Sequence, residues 1–120
     1  DGRVGIGTLT IPLGYKLAVG GGVLAESVRV QLKSAWPDYV FEDTYKPVLL
    51  ADLSTFVKIN KHLPEIQTAK EVEAAGIDLG EMNLKLLKKI EELTLYLIEM
   101  KQETDGLKEK VFQLERAAKR

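Results

Sequence analysis

The sequence predicts an α+β chain with an N-terminal β-stalk, a small mixed head and a long C-terminal helix that forms a parallel coiled coil. Three observations carry this expectation. Apolar residues alternate with period two from Arg3 to about Leu32, and turn residues and short helical patterns break up the middle. From Leu79 to Ala118 apolar residues then recur at alternating steps of three and four. The expected boundaries are residues 1–33 for the stalk, 34–78 for the head and 79–120 for the coil.

In the stalk, Val4, Ile6 and Thr8 alternate with glycines, Tyr15, Leu17 and Val19 with Lys16 and Ala18, and Val28, Val30 and Leu32 with Arg29 and Gln31. These read as three short strands, separated by Ile11-Pro12-Leu13-Gly14 and by Gly20-Gly21-Gly22. A strand such as Val4-Gly5-Ile6-Gly7 has side chains on one face only, so its bare side lets another backbone approach closely. The glycines do not make a phosphate loop, since no Gly-Lys-Ser/Thr follows them.

The head opens on the aromatic group Trp36, Tyr39, Phe41 and Tyr45. Alternation of Tyr39 and Phe41 after Pro37 predicts one more strand, with the aromatics as core; a sugar-binding platform is the alternative. Asp52 is the expected N-cap of a helix through about Asn60, with Leu53, Phe56 and Val57 on one face and Pro64 barring continuation. Thr68 and Glu71 form a capping box for a second helix that Gly76 stops, and Asp78 with Glu81 opens the long helix.

With Leu79 as position d, the d residues are Leu79, Leu86, Leu93, Met100, Leu107 and Leu114, and the a residues are Asn83, Ile90, Leu97, Thr104, Val111 and Ala118. A 3.5-residue repeat over about five heptads calls for supercoiling around another helix, so the chain is expected to be an oligomer. As an amphipathic helix on its own domain it would run about 60 Å, far beyond the body the rest of the chain could make. Glu103 (g) reaching Lys108 (e) of a neighbour, and Lys110 (g) reaching Glu115 (e), favour a parallel arrangement. Ile90, Val111 and Asn83 at a favour two strands, whereas the wider stripe through Leu87 and Tyr96 favours three; a parallel homotrimer is the expectation. Leu84, Leu87, Leu95 and Ile98 form a second stripe that fades after Ile98, predicting a head wrapped on the first half of the helix and a bare coil beyond. Thr104-Asp105-Gly106 should weaken the coil without ending the helix.

Val4-Gly5-Ile6-Gly7-Thr8, Pro12 and Tyr15-Lys16-Leu17-Ala18-Val19-Gly20 resemble the segment that precedes the C-terminal chaperone domain of phage tail fibres and related bacterial surface proteins. Trp36-Pro37-Asp38-Tyr39-Val40-Phe41, His62-Leu63-Pro64 and Gly80-Glu81-Met82-Asn83 are similar to a bacterial branch of the same group, whose chaperone domains are of the endosialidase type. The resemblance implies three chains wound into a β-prism-like stalk, an upstream fibre shaft as partner, and a virion tail fibre or cell-surface location. Departures from the pattern are the extra residues around Ile11 to Gly14, and Gly21 where an Asn-Gly turn is common. Since it begins Asp-Gly-Arg, the chain reads as the end of something longer.

Other chemistry has little support. The 17 basic and 18 acidic side chains form no basic stripe, which argues against nucleic acid as a partner, and no apolar run approaches the roughly 20 residues of a membrane span. With no cysteine and one histidine, His62, no metal site or cofactor is expected. Some of the fibre chaperones cut themselves free with a Ser-Lys pair, using a Ser-Asp motif followed by Lys. Here Ser27, Lys33 and Ser34 occupy that region and neither serine is followed by Asp, so the chain is expected not to be an enzyme. Three functions thus stand: a trimerisation and folding module, a self-cleaving chaperone, and a tip that binds cell-surface glycan or another receptor.

Overall fold

The computed structural model describes residues 2–33 and 36–119. Its extents are 85 × 29 × 29 Å and its radius of gyration is 22.9 Å, against about 14 Å for a compact chain of this length. One element sets the long dimension: α3, Leu79–Ala118, a single helix of 40 residues.

Two short strands, β1 (Val4–Ile6) and β2 (Leu17–Val19), pair in parallel, with Val4 opposite Leu17, Gly5 opposite Ala18 and Ile6 opposite Val19. The chain makes one full loop between them. Val4 N–H donates to the Lys16 carbonyl at 2.8 Å and Gly20 N–H to the Ile6 carbonyl at 2.8 Å, closing the rung at both ends. Glycine is required where the two turns meet: a Cβ on Gly20 would lie 2.6 Å from the Gly7 carbonyl oxygen, and Gly7 itself has φ +70°. The bare strand face expected from the glycine alternation is therefore used for backbone approach within the chain.

The third expected strand is absent. Residues 27–32 run without strand pairing and leave Val28 and Val30 exposed. Alternation determines which side chains share a face, but a strand also needs an edge to pair with, and this segment joins neither outer edge of the β1–β2 pair. Val30 and Leu32 instead lie over the start of α3, where a Cβ on Gly80 would sit 2.8 Å from both Val30 Cγ1 and Leu32 Cδ2.

The expected strand through Tyr39 and Phe41 is a 3-10 helix, Asp38–Phe41. With about three residues per turn it places Pro37 and Val40 on one side, and both are buried. Trp36, Tyr39 and Phe41 consequently stay 58%, 42% and 53% exposed, so they are not the core that the sequence suggested. α1 spans Leu50–Asn60; its N-cap is Leu49, with no side-chain cap bond, and Asp52 lies inside the first turn. There the carboxylate favours the helix dipole without accepting the capping bond assigned to it. Lys61, in the left-handed conformation (φ 61°), closes α1 ahead of Pro64.

The remaining caps are as expected. Thr68 Oγ1 accepts from Glu71 N–H at 3.2 Å to start α2, Ala69–Ala75, which Gly76 ends at φ 73°. Asp78 Oδ1 accepts from Glu81 N–H at 3.0 Å to start α3. The long helix continues through Gly106, where the Lys101–Asp105 ion pair (2.7 Å) spans the weak turn. Such a pair contributes about 0.3 to 0.5 kcal/mol against a glycine cost of about 1 kcal/mol, so it offsets only part of that cost.

The Gly7–Gly20 approach generates a sharp expectation. Gly20→Ala should push the two turns apart and cost about 1 to 3 kcal/mol, seen as lost amide-exchange protection at Val4. Gly22→Ala, where a Cβ meets nothing within 4 Å, should leave that protection intact.

Candidate oligomerisation interface

An α-helix carrying a strict heptad pattern offers one apolar seam, and the head of this chain does not cover it. Leu79, Asn83, Leu86, Ile90, Leu93, Leu97, Met100, Thr104, Leu107, Val111 and Leu114 are all exposed. The apolar members range from 45% exposed at Leu86 to 70% at Leu114. Full burial of a large apolar side chain stabilises by about 1.5 to 3 kcal/mol, so covering nine half-exposed ones is worth roughly 10 kcal/mol per chain.

Cover is supplied instead to the opposite side. Glu91 (b), Glu92 (c) and Tyr96 (g) are buried, and Leu84 (b), Lys85 (c), Lys88 (f), Lys89 (g) and Leu95 (f) are half-buried. Three contacts hold the head there. The Tyr96 hydroxyl donates to the Val48 carbonyl. Glu65 receives Lys88 Nζ at 2.8 Å and Lys89 Nζ at 3.2 Å. Lys88 also lies 5.8 Å from the centre of the Tyr39 ring, which packs edge-on against Tyr45 at 5.8 Å. From Leu97 to Lys119 every residue is exposed, so the second half of the helix has no cover on any side.

The flanks of the seam change character at the same level. Beside the head, e and g positions hold Met82, Leu87, Thr94 and Tyr96, with Lys89 the one charge; beyond it they hold Lys101, Glu103, Lys108, Lys110 and Glu115. Among the described residues, Glu103, Lys108, Lys110 and Glu115 form no ion pair within the chain, which leaves them free for a second helix. Between head and helix lies a cavity of about 140 Å³, lined by Val48, Leu53, Leu63, Pro64, Leu93 and Tyr96 among others.

The other candidates do not assemble. His62 Nδ1–H donates to the Leu63 carbonyl at 2.8 Å, and its ring packs edge-on against Phe56. Among the described residues no group of three His, Asp or Glu side chains is placed to hold a metal ion, and no helix is long and apolar enough to cross a membrane. Ser27 and Lys33 are exposed in the unpaired segment, and Ser34 lies outside the described residues. Compared with known protein families, curated proteins and solved structures, the chain matches none.

Sequence reasoning missed the clasp of Glu65 on Lys88 and Lys89. No local spacing announces a pair separated by 23 residues. Burial raises the Glu65 pKa, but the hydrogen bonds and charges of Lys88 and Lys89 outweigh it and hold the carboxyl below its ordinary value. Lys88 is lowered by burial, but Glu65 raises it further and the net direction is up. A depressed carboxylate stabilises the fold above its unfolded value and loses that contribution as pH falls through the folded value; a raised lysine loses its contribution as pH climbs through its own folded value. Glu65→Gln should therefore destabilise the chain at pH 7 by about 0.5 to 1 kcal/mol, a small figure because the pair is partly solvated. The gap between variant and wild-type melting curves should close on acidification below the ordinary carboxylate range; a gap that persists there would assign Glu65 a packing role instead.

Proposed function

We propose that this chain is the C-terminal trimerisation and folding module of a fibre-like surface or virion protein, holding three copies in register so that an upstream shaft can wind correctly. One observation carries the proposal: the full heptad seam is exposed while the head occupies the opposite face of the same helix. A helix packed in that way is open to its own kind. The unpaired Glu103, Lys108, Lys110 and Glu115 support a parallel arrangement, in which g of one copy faces e of the next. Three copies rather than two are favoured by the apolar flank at Leu87 and by the resemblance to tail-fibre chaperones; Tyr96, on the other flank, is taken up by the head. The parallel β1–β2 rung, with glycines at its tight points, suits the end of a wound stalk. A virion or cell-surface location follows from the same resemblance.

A second reading has one observation in its favour. Trp36, Tyr39 and Phe41 are exposed within six residues of one another, as a carbohydrate platform would need. Loss of glycan-array binding in Trp36→Ala would support a receptor-binding tip.

Light scattering should give three times the 13.4 kDa chain mass. Twice that mass would make the coil a dimer, and a single chain mass would overturn the assembly reading. Deleting residues 79–120 should leave the remainder monomeric or aggregated; a well-folded trimer without them would place the assembly determinant in the stalk.

A further inference from the structure

We infer that the head of each copy also grips the neighbouring copy, whose α3 inserts Ile98, with Thr94 beside it, into the groove between α1 and α3. This rests on the parallel assembly proposed above and identifies what fills the groove.

The groove lies on the g side of α3. Its floor is Leu93 (d) and Tyr96 (g), and its far wall is Val48, Leu53, Leu63 and Pro64. In any parallel coil, of two or three chains, the g edge of one helix faces the e edge of the next at the same height. At the height of Leu93 that neighbouring edge presents Thr94 (e) and, a turn further on, Ile98 (b). Thr94 donates its hydroxyl to its own Ile90 carbonyl at 2.8 Å, so its polar group is already satisfied by its own helix. Ile98 is 50% exposed, whereas Leu84, Leu87 and Leu95, its companions in the second stripe, are half-buried. Here, then, are a largely apolar cavity, lined also by Lys46, Glu65, Lys89 and Glu92, and an apolar side chain, Ile98, that its own chain leaves exposed. They occupy facing edges of the same seam. The flanking positions give the same answer: they are mostly uncharged where the head sits and charged where it ends, as expected if the neighbour's head excludes water there.

The test compares two residues in the same heptad position. Ile98 and Phe112 are both b positions, two heptads apart, and are 50% and 53% exposed. Only Ile98 lies at the level of a neighbour's head. Ile98→Asp should raise the subunit dissociation constant about tenfold or more, with Phe112→Asp near wild type. Because the chain has no cysteine, Leu53→Cys and Ile98→Cys chains refolded together should also give a mixed cross-linked pair with a short bis-maleimide, while Leu53→Cys with Gln113→Cys should not. Equal effects of the two aspartates, or no mixed pair, in a protein that keeps its oligomeric mass would overturn the groove inference alone. A wild-type chain that is monomeric would overturn it together with the assembly on which it rests.

Discussion

Everything in this chain depends on an apolar stripe that it cannot cover by itself. A compact protein of 13.4 kDa exposes about 6,500 Å² of surface, whereas this chain exposes 10529 Å². Apart from Pro37, Val40 and Tyr96 are its only buried hydrophobic side chains among the described residues. Such a chain has no core large enough to offset its conformational entropy, and the roughly 10 kcal/mol held in the seam is comparable to the entire stability of an ordinary domain. Under the proposed assembly, folding and association are a single process.

The head determines which face of the helix remains available. Its polar anchors are individually weak, since partly solvated ion pairs contribute little net stability. Their effect is positional. Lys88 at f and Lys89 at g draw Glu65 to the outer side of α3, and Tyr96 at g fixes the Val48 carbonyl there. Had these donors been at a or d, the head would have lain across the seam and occluded it. Charge selects the face, and apolar area supplies the energy.

What was legible in the sequence was local. Thr68 with Glu71 and Asp78 with Glu81 mark two helix starts because a cap is read within three residues, and the heptads mark α3 because helical phase persists over 40 residues. Asp52 looked like a cap and was not, since a carboxylate in the first turn and one at the N-cap differ by three positions in a pattern with little else to fix it. The segment around Val28 and Val30 alternates as a strand does, yet pairing is a property of the edge opposite, which no single segment encodes. Tyr39 and Phe41 alternate over too few residues to separate a strand from a 3-10 helix, and the buried residue proved to be Val40 between them. The seam residues were legible as a seam, but which face the head would take was not, because Glu65 and its lysines are distant in sequence.

Gly80 links the two halves of the molecule. It sits at an e position beside Leu79, the first seam residue, and its missing side chain makes the notch that receives Val30 and Leu32. The segment leading from the β rung is therefore seated on the helix one residue from the first position of the seam. If three helices align in register, three such notches align with them, and the strand-bearing segments start from equivalent heights. Height is what a wound stalk needs, because a one-residue slip would turn every outward side chain of a strand inward. Helical contacts are local and form fast, whereas each β rung must close a loop before its pairing is rewarded. In the proposed assembly the coil would thus set the register first, and the glycine notch would be the point at which that register passes to the strands.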